Sequence, residues 1–336
     1  MAEVYNPLLR APRKRRKRGA LFVWFVVPSI LGVVAWLGVM MWSARSSSKS
    51  EMEEAGTVLS AIAPAEQTTP KPTEPVQSRA LQQVVEQALE GTGGEYAVVI
   101  KHLQTGEYFA RVEDVEFQAA SLYKLWVMAA AYEQIAAGTV GENDTLKQSV
   151  VELNRKFQIA SESAELTEGD VEMTVAGALR EMIVISDNYA ALLLTERIRL
   201  KSLATFLNTY DFDDSHVGTT GGPPTTTPAD IARFFELLYR GQVIDREYSE
   251  KMLGHLRAQR LNHKIPANLP DEVMVAHKTG ELDGYSHDAG IVYAPSGEYL
   301  LILMSESDNR DLANVRLQNI SEAVYEYFEN APRLDE

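Results

Sequence analysis

Hydrophobic positions at the start of the folded region follow a helical spacing and then two strand-like runs. Residues 79–90 place apolar side chains on one helical face, at Leu81, Val84, Val85 and Leu89. Strand-like runs at 95–103 and 107–112 come next, separated by the turn-forming residues Gln104-Thr105-Gly106. The pattern therefore predicts a helix followed by an antiparallel hairpin.

The middle and the end of the folded region show a different order of patterns. From about residue 140 to 270 the spacing is mostly helical, and the clearest helix begins at Thr227-Pro228 with a capping signal. A final helical pattern covers 311–329, and before it come three strand-like runs at 272–279, 286–293 and 298–305. We expect an α+β fold in which terminal helices flank a five-stranded antiparallel sheet and an all-α lobe is inserted between strands 2 and 3.

The N-terminal part carries a membrane signal. Residues 19–42 contain no charged side chain and are long enough to span a bilayer, and a basic cluster at 10–18 marks their cytoplasmic side. A secretory signal cleaved near Ser43-Ala44 is the alternative. The predicted segments are a basic cytoplasmic tail (1–18), a single-pass transmembrane anchor in the cell membrane (19–42), a flexible Ser-, Thr- and Pro-containing linker (43–77) and an extracytoplasmic domain (78–333).

Charge and composition exclude several classes of function. Residues 1–50 carry nine basic side chains and one acidic, whereas the rest of the chain carries 23 basic and 46 acidic. Because so acidic a body repels nucleic acid, we expect no nucleic-acid partner. The chain has no cysteine, which excludes disulfides and a thiol nucleophile. The six histidines show no zinc-ligand spacing, so we expect no metal and no cofactor.

A nucleophile and its base are suggested by Ser121 and Lys124, at the start of a predicted helix over 121–137. Residues three apart lie on one face of a helix, so the amine is placed near the hydroxyl. A serine attacks when a base takes its proton, and a lysine serves as that base only when its amine is neutral. Burial, a second cation and the helix dipole all lower a lysine pKa. Helix capping by Ser121 is the alternative role.

Two further motifs follow Ser121 in the chain, Ser186-Asp187-Asn188 and Lys278-Thr279-Gly280. In this order, Ser-x-x-Lys, Ser-Asp-Asn and Lys-Thr-Gly resemble the signature of class A β-lactamases and penicillin-binding proteins. The segments Thr225-Thr226-Thr227-Pro228 and His287-Asp288-Ala289-Gly290 are similar to that family too. The resemblance covers about residues 80–332 and implies a β-lactamase/transpeptidase-like fold.

The resemblance also implies roles for the reacting groups. Ser121 would attack a carbonyl and become an acyl-serine, with Lys124 as the proton acceptor. Ser186 would relay a proton to the departing nitrogen. Lys278 would lower the pKa of Lys124 and attract a substrate carboxylate.

Four further residues would bind the substrate, a β-lactam or a cell-wall peptide. Asn188 would hold a substrate amide, Thr279 would hydrogen-bond the carboxylate, and Gly280 would let substrate backbone approach the strand. The backbone N–H groups of Ser121 and Glu281 would form the oxyanion hole. Asp187 is interpreted as a possible structural cap, and a second Ser-Asp-Asn at 307–309 as a cap of the last helix.

The sequence departs from class A β-lactamases in the segment before Thr225. Those enzymes carry a Glu-x-x-Leu-Asn motif there, whose glutamate activates the water that releases the acyl group, but residues 208–227 contain no glutamate. Asp211, Asp213 and Asp214 are the carboxylates that could substitute, and His216 is a weaker candidate. We therefore favour a D-alanyl-D-alanine peptidase with slow deacylation. A true class A β-lactamase and a catalytically silent cell-wall-binding module are the alternatives.

Overall fold

The computed structural model describes residues 76–218 and 222–331. The predicted cytoplasmic tail, the anchor and nearly all of the linker lie outside the described residues. Within the described ranges, no helix combines the length and the hydropathy needed to cross a membrane.

The central sheet has five antiparallel strands that come from both ends of the described chain. They are β1 (Glu95–His102), β2 (Tyr108–Arg111), β7 (Met274–Leu282), β8 (Tyr285–Ala294) and β9 (Gly297–Glu306). Their order across the sheet is β2-β1-β9-β8-β7. The last strand of the chain therefore lies beside the first, which confirms the predicted sheet.

The two faces of the sheet belong to two separate apolar cores, because successive residues of a strand point to opposite faces. On β1, Val98 and Ile100 pack against the terminal helices α1 (Arg79–Ala88) and α9 (Arg310–Asn330). Ala97 and Val99, which alternate with them along the strand, pack against the helical lobe. The predicted arrangement, with terminal helices flanking the sheet, is confirmed.

The lobe is inserted between β2 and β7, as predicted. Its helices are a 3-10 turn (Ala120–Leu122) followed by α2 (Tyr123–Ala136), α3 (Val150–Lys156), α4 (Val175–Val184), α5 (Asn188–Ile198), α6 (Leu200–Thr209), α7 (Pro228–Tyr239) and α8 (Arg246–Arg257). Trp126 of α2 lies at its centre, with its ring 4.9 Å from that of Phe212 and 5.0 Å from that of Phe234. Helix α2, which follows Ser121 directly, is thus part of the main core of the lobe.

The prediction that this lobe is all-α was wrong. It contains two short strand pairs, β3 (Phe117–Gln118) with β6 (Thr225–Thr226) and β4 (Thr145–Ser149) with β5 (Asp170–Thr174). These strands have two to five residues each and carry few apolar side chains, so their two-residue period does not stand out from the helical pattern.

Two helix starts follow the side-chain chemistry expected from the sequence. The Thr227 hydroxyl accepts a hydrogen bond from the Asp230 N–H of α7 at 3.2 Å. The side chain of Asn309 accepts one from the Leu312 N–H of α9 at 3.1 Å. The second Ser-Asp-Asn is therefore a helix cap, as interpreted.

Gly290 on β8 allows the close approach of β7. A Cβ atom at this position would lie 2.3 Å from the Ala276 carbonyl oxygen and 2.7 Å from the His277 Cβ. Both distances are far below van der Waals contact, and the clash involves backbone that cannot rotate away. A side chain at residue 290 would therefore force β7 and β8 apart.

We expect Gly290→Ala to lower the free energy of unfolding by about 3 kcal/mol or more, because the strands must separate. Gly254→Ala is the matched control: it lies inside α8, where an added Cβ meets no atom within 4 Å, and it should raise stability by up to about 1 kcal/mol. Urea denaturation of the two variants measures both changes. Equal effects would contradict the packing assigned to Gly290.

Candidate active site

Ser121 lies in the middle of the 3-10 turn that leads into α2, so the helix predicted from residue 121 begins there with a tighter turn. The preceding residue, Ala120, has a φ of 44°, in the left-handed region that non-glycine residues rarely adopt. Just before it, the Ala119 N–H donates to the Pro224 carbonyl at 2.9 Å. Surrounding structure therefore holds the turn Ala120–Leu122, called here the nucleophile turn, in a conformation that costs free energy.

Gly280 of β7 packs directly against this turn. A Cβ on Gly280 would lie 3.2 Å from the Ala119 carbonyl oxygen and 3.3 Å from the side chains of Ala120 and Leu122. The glycine of the Lys-Thr-Gly motif therefore has a structural role besides the predicted one. It lets the strand and the nucleophile turn meet without an intervening side chain.

Lys124 is completely buried one turn beyond Ser121. Its amine donates to the Ser186 carbonyl, to the side-chain oxygen of Asn188 at 2.7 Å and to the Ser186 hydroxyl at 3.2 Å. The structure thus brings Lys124 together with two residues of the second motif. None of these three hydrogen bonds is to Ser121, and catalytic hydrogen bonds are often formed only once the substrate is bound.

Lys278 of β7 is also completely buried and reaches the same serine. Its amine donates to the Ser186 hydroxyl at 2.9 Å and to the Thr279 carbonyl at 2.7 Å. Ser186 itself has a φ of 60°, in the loop between α4 and α5. Its hydroxyl therefore lies between two lysine amines from opposite sides of the domain.

Burial changes the acid–base chemistry of both amines. It lowers the pKa of Lys124 from 10.5 to about 8, against the opposing charges of Asp187 and Glu165. Burial and the repulsion from Lys124 hold the pKa of Lys278 well below 10.5. We expected Lys278 to be a cause of the lowered pKa of Lys124, but loss of hydration is the main cause there. Part of the Lys124 population therefore has a neutral amine near neutral pH, next to the turn that carries Ser121.

A family model described as the β-lactamase enzyme family matches residues 78–328 of this chain. The chain belongs to the β-lactamase enzyme family. No curated protein sequence matches it.

Several solved structures have a similar fold, and the match with this chain extends over nearly their whole length. A β-lactamase from Sphaerobacter thermophilus DSM 20745 is 24% identical, with a TM-score of 0.64, and the match covers 75% of this chain and 97% of that one. PBP-A is 23% identical with a TM-score of 0.67 and the same coverage. A variant of PBP-A, solved as an acyl-enzyme complex with penicillin G, is 22% identical with a TM-score of 0.65, covering 75% and 96%. At these identities the likeness shows the fold.

Thr279 and Glu281 lie on β7 beside Lys278, and the Glu281 carboxylate is surrounded by basic side chains. It lies 2.7 Å from the His263 ring, 2.8 Å from the Lys264 amine and 3.9 Å from the Arg310 guanidinium. Hydrogen bonding with His263 and the charge of Lys264 lower the pKa of Glu281 to about 2. The Glu281 carboxylate therefore stays ionised and is held by basic side chains next to the site. The oxyanion role of the Ser121 and Glu281 N–H groups stays a prediction.

The carboxylates predicted as substitutes for the missing glutamate do not hydrogen-bond to the four catalytic candidates. Asp211 accepts from the Arg233 side chain at 3.4 Å, and Asp213 and Asp214 are exposed. His216 is exposed, and its backbone pairs with Thr225. Among the described residues, no group of three or more His, Cys, Asp or Glu is placed to hold a metal ion.

Asp187 has the capping role that we had considered. Its carboxylate accepts from the Ala190 N–H at 2.7 Å and begins α5. This cap fixes the start of the helix that carries Asn188. Asp187 therefore positions its two neighbours in the motif, Ser186 and Asn188.

Glu165 is a site residue that sequence reasoning missed. Its carboxylate accepts a hydrogen bond from the Asn188 side-chain amide at 2.6 Å. It lies in an irregular segment between α3 and β5 with no motif around it, so nothing in the sequence indicates this contact.

His287 positions the nucleophile turn from the sheet, a role the sequence did not indicate. It is completely buried, and its Nε2 donates to the Gln118 carbonyl at 2.9 Å while Nδ1 accepts from the Ser305 N–H at 3.2 Å. These partners require the neutral ring, and burial lowers the pKa of His287 to about 4. Because Gln118 comes just before the turn, protonation of this ring would disturb the approach to Ser121.

We expect the Lys124 amine to titrate with a midpoint near 8, being charged below and neutral above it. NMR of protein labelled at the lysine Cε measures this directly, and Lys124→Arg assigns the signal. Lys147 is the internal control, because its hydrogen bond to Glu172 raises its pKa above 10.5. A Lys124 midpoint at 10.5 would show that burial does not perturb the amine.

We expect stability to fall as the pH is lowered from 6.5 to 4, because the unfolded His287 binds a proton there and the folded one does not. The loss from this residue is about 3 kcal/mol by linkage. His287→Gln should reduce the pH dependence, whereas His216→Gln, at an exposed residue, should keep it. Urea unfolding at several pH values tests this, and the same slope in both variants would rule out the role of His287.

Proposed function

We propose that this protein is an extracytoplasmic serine hydrolase that forms an acyl-serine at Ser121 with D-alanyl-D-alanine peptides or β-lactams. The observation that carries the proposal is the pair of buried amines, Lys124 and Lys278, on the one Ser186 hydroxyl. Membership of the β-lactamase enzyme family supports hydrolase chemistry of this kind.

The geometry supports a balanced sequence of proton transfers. The neutral Lys124 amine takes the Ser121 proton as Oγ attacks the carbonyl carbon, and the carbonyl becomes an oxyanion. When the carbon–nitrogen bond breaks, the nitrogen takes a proton that passes from Lys124 through the Ser186 hydroxyl. Lys278 attracts the carboxylate of the substrate, and Asn188 holds its amide. Water then attacks the acyl carbon, the bond from that carbon to Ser121 Oγ breaks, and Oγ takes the proton that the water gives up as the acid product leaves.

The lack of a glutamate in residues 208–227 supports slow release of the acyl group, and with it the peptidase over the β-lactamase. The only carboxylates in the segment that would carry the water-activating glutamate are aspartates. One of them, Asp211, is hydrogen-bonded to Arg233 on the lobe surface. A variant of PBP-A, which has a similar fold, has been solved as an acyl-enzyme complex with penicillin G. A true class A β-lactamase is the alternative, and the lifetime of the acyl-enzyme distinguishes the two activities.

A silent cell-wall-binding module is disfavoured by the site itself. Burying two lysine amines costs several kcal/mol of stability that a binding surface does not need. Turnover of a simple thioester would decide against it.

We also propose that residues 19–42 anchor the enzyme in the membrane with the hydrolase domain outside. The support is their length without charge and the preceding basic cluster. A cleaved signal would export the same domain without the anchor.

We expect intact-mass measurement after incubation with penicillin G to show addition of one penicilloyl group, which Ser121→Ala abolishes. Ser307→Ala is the matched control, because that serine belongs to the out-of-order Ser-Asp-Asn that caps α9, and it should label like the wild type. The acyl-enzyme should persist for minutes or longer. Labelling that survives Ser121→Ala would overturn the assignment of the nucleophile, and release within a second would favour the β-lactamase.

A further inference from the structure

Residues 259–265, between α8 and β7, form a connecting segment that holds the end of α4. The Gln259 side-chain amide donates to the Ile183 carbonyl at 2.8 Å. The Arg260 N–H donates to the next carbonyl, that of Val184, at 3.0 Å. These carbonyls belong to the last two residues of α4, where a helix offers them no partner of its own. The connecting segment therefore fixes the helix end that leads into the Ser-Asp-Asn loop.

The Gln259 side chain is held at both of its polar atoms. It is 6% exposed, and its oxygen accepts from the N–H groups of Arg260 at 3.0 Å and Leu261 at 3.1 Å. Because N–H groups lie on one side of the amide and the Ile183 carbonyl on the other, a single orientation satisfies all of them. Loss of this amide would take a partner from a buried carbonyl and from two N–H groups.

The other end of the connecting segment is hydrogen-bonded to the sheet next to Lys278. The ring of His277, which precedes Lys278 on β7, is hydrogen-bonded to the Asn262 side chain at 3.1 Å and to the Asp288 carboxylate at 2.8 Å. The same carboxylate, on β8, accepts from the Ile265 N–H at 2.9 Å. The connecting segment thus joins the Ser-Asp-Asn loop of the lobe to the strand that carries the second lysine.

Ser186 needs this support on the α4 side of its loop. Its neighbour Ile185 is 41% exposed, so apolar packing anchors the loop weakly there, and Ser186 itself has a strained φ of 60°. On the other side, the Asp187 cap holds the loop to α5. The Ser186 hydroxyl must nevertheless stay 2.9 Å from the Lys278 amine and 3.2 Å from the Lys124 amine.

We propose that Gln259 is a positioning residue for acylation, which sets the place of the Ser186 hydroxyl between the two lysine amines. This rests on the proposed function, because it assumes that Ser186 passes a proton to the departing nitrogen. The hydrogen bonds of the Gln259 side chain are to backbone groups, so it acts through Ser186 and not on the substrate. A shift of the hydroxyl by about 1 Å would interrupt the proton path, and shifts of this size cost about 100-fold in rate.

Gln259→Met tests this role, because methionine fills a similar volume and makes none of these hydrogen bonds. We expect the second-order rate constant for acylation by penicillin G, measured by intact mass, to fall about 10- to 100-fold. Gln134→Met is the matched control. The Gln134 amide donates to the Ile198 carbonyl at 3.0 Å, at the end of α5 and about 15 Å along that helix from Asn188. Its acylation rate should change by less than about twofold.

A double-mutant cycle with Ser186→Ala separates positioning from a general structural effect. If Gln259 acts through Ser186, adding Gln259→Met to the Ser186→Ala protein should slow acylation by less than about twofold, because the hydroxyl that it positions is already missing. An equal loss of rate in both backgrounds would overturn the proposal. An unchanged rate in Gln259→Met alone would overturn it as well and would leave the serine hydrolase intact.

A second variant gives the test if Gln259→Met does not fold. A protonated carboxylic acid at residue 259 can donate to the Ile183 carbonyl as the amide does, and burial raises the pKa of such a carboxyl. Relative to the wild type at the same pH, Gln259→Glu should acylate at nearly the wild-type rate at about pH 5 and become slower as the carboxyl ionises. A ratio that does not change with pH would contradict the positioning role. Absence of acylation in the wild type would instead overturn the proposed function.

Discussion

The burial of two lysine amines against one serine hydroxyl is the constraint on which the rest of this structure depends. Moving a charged ammonium out of water costs several kcal/mol, and two of them near one oxygen repel each other. The arrangement is tolerable when an amine gives up its proton and the remaining N–H groups find acceptors, which Ser186, Asn188 and Thr279 provide. Burial is unfavourable for the charged form of Lys124, and for that reason it lowers the pKa of this amine and provides a neutral base.

Holding these groups together requires elements from distant parts of the chain. Lys124 comes from the central helix of the lobe, Ser186 from a loop in a left-handed conformation, and Lys278 from the sheet. The apolar core between lobe and sheet supplies the free energy that keeps them in place, since Trp126 and Leu125 beside Lys124 are fully buried. Gly280 and His287 then set the spacing between the strands and the nucleophile turn.

Periodic patterns and short motifs were sufficient to predict the sheet, the flanking helices and the convergence of Lys124, Ser186 and Lys278. The short strand pairs of the lobe were missed because two to five residues hold too few apolar positions to show a period. Glu165 and His287 were missed for another reason. Their contacts, with Asn188 and with the Gln118 carbonyl, join residues far apart in the chain and depend on tertiary packing that no local pattern encodes.

The position of β7 at the margin of the sheet has a consequence for self-association. A marginal strand offers unpaired peptide groups, which is what an extended peptide needs in order to bind as an additional strand. The same groups are open to a strand of another copy, and Met274 and Leu282 at the two ends of β7 are 50% and 42% exposed. The turn that carries Ser121 packs on the face of β7 at Gly280, near the Leu282 end, and leaves the hydrogen-bonding edge of the strand to whichever extended chain arrives.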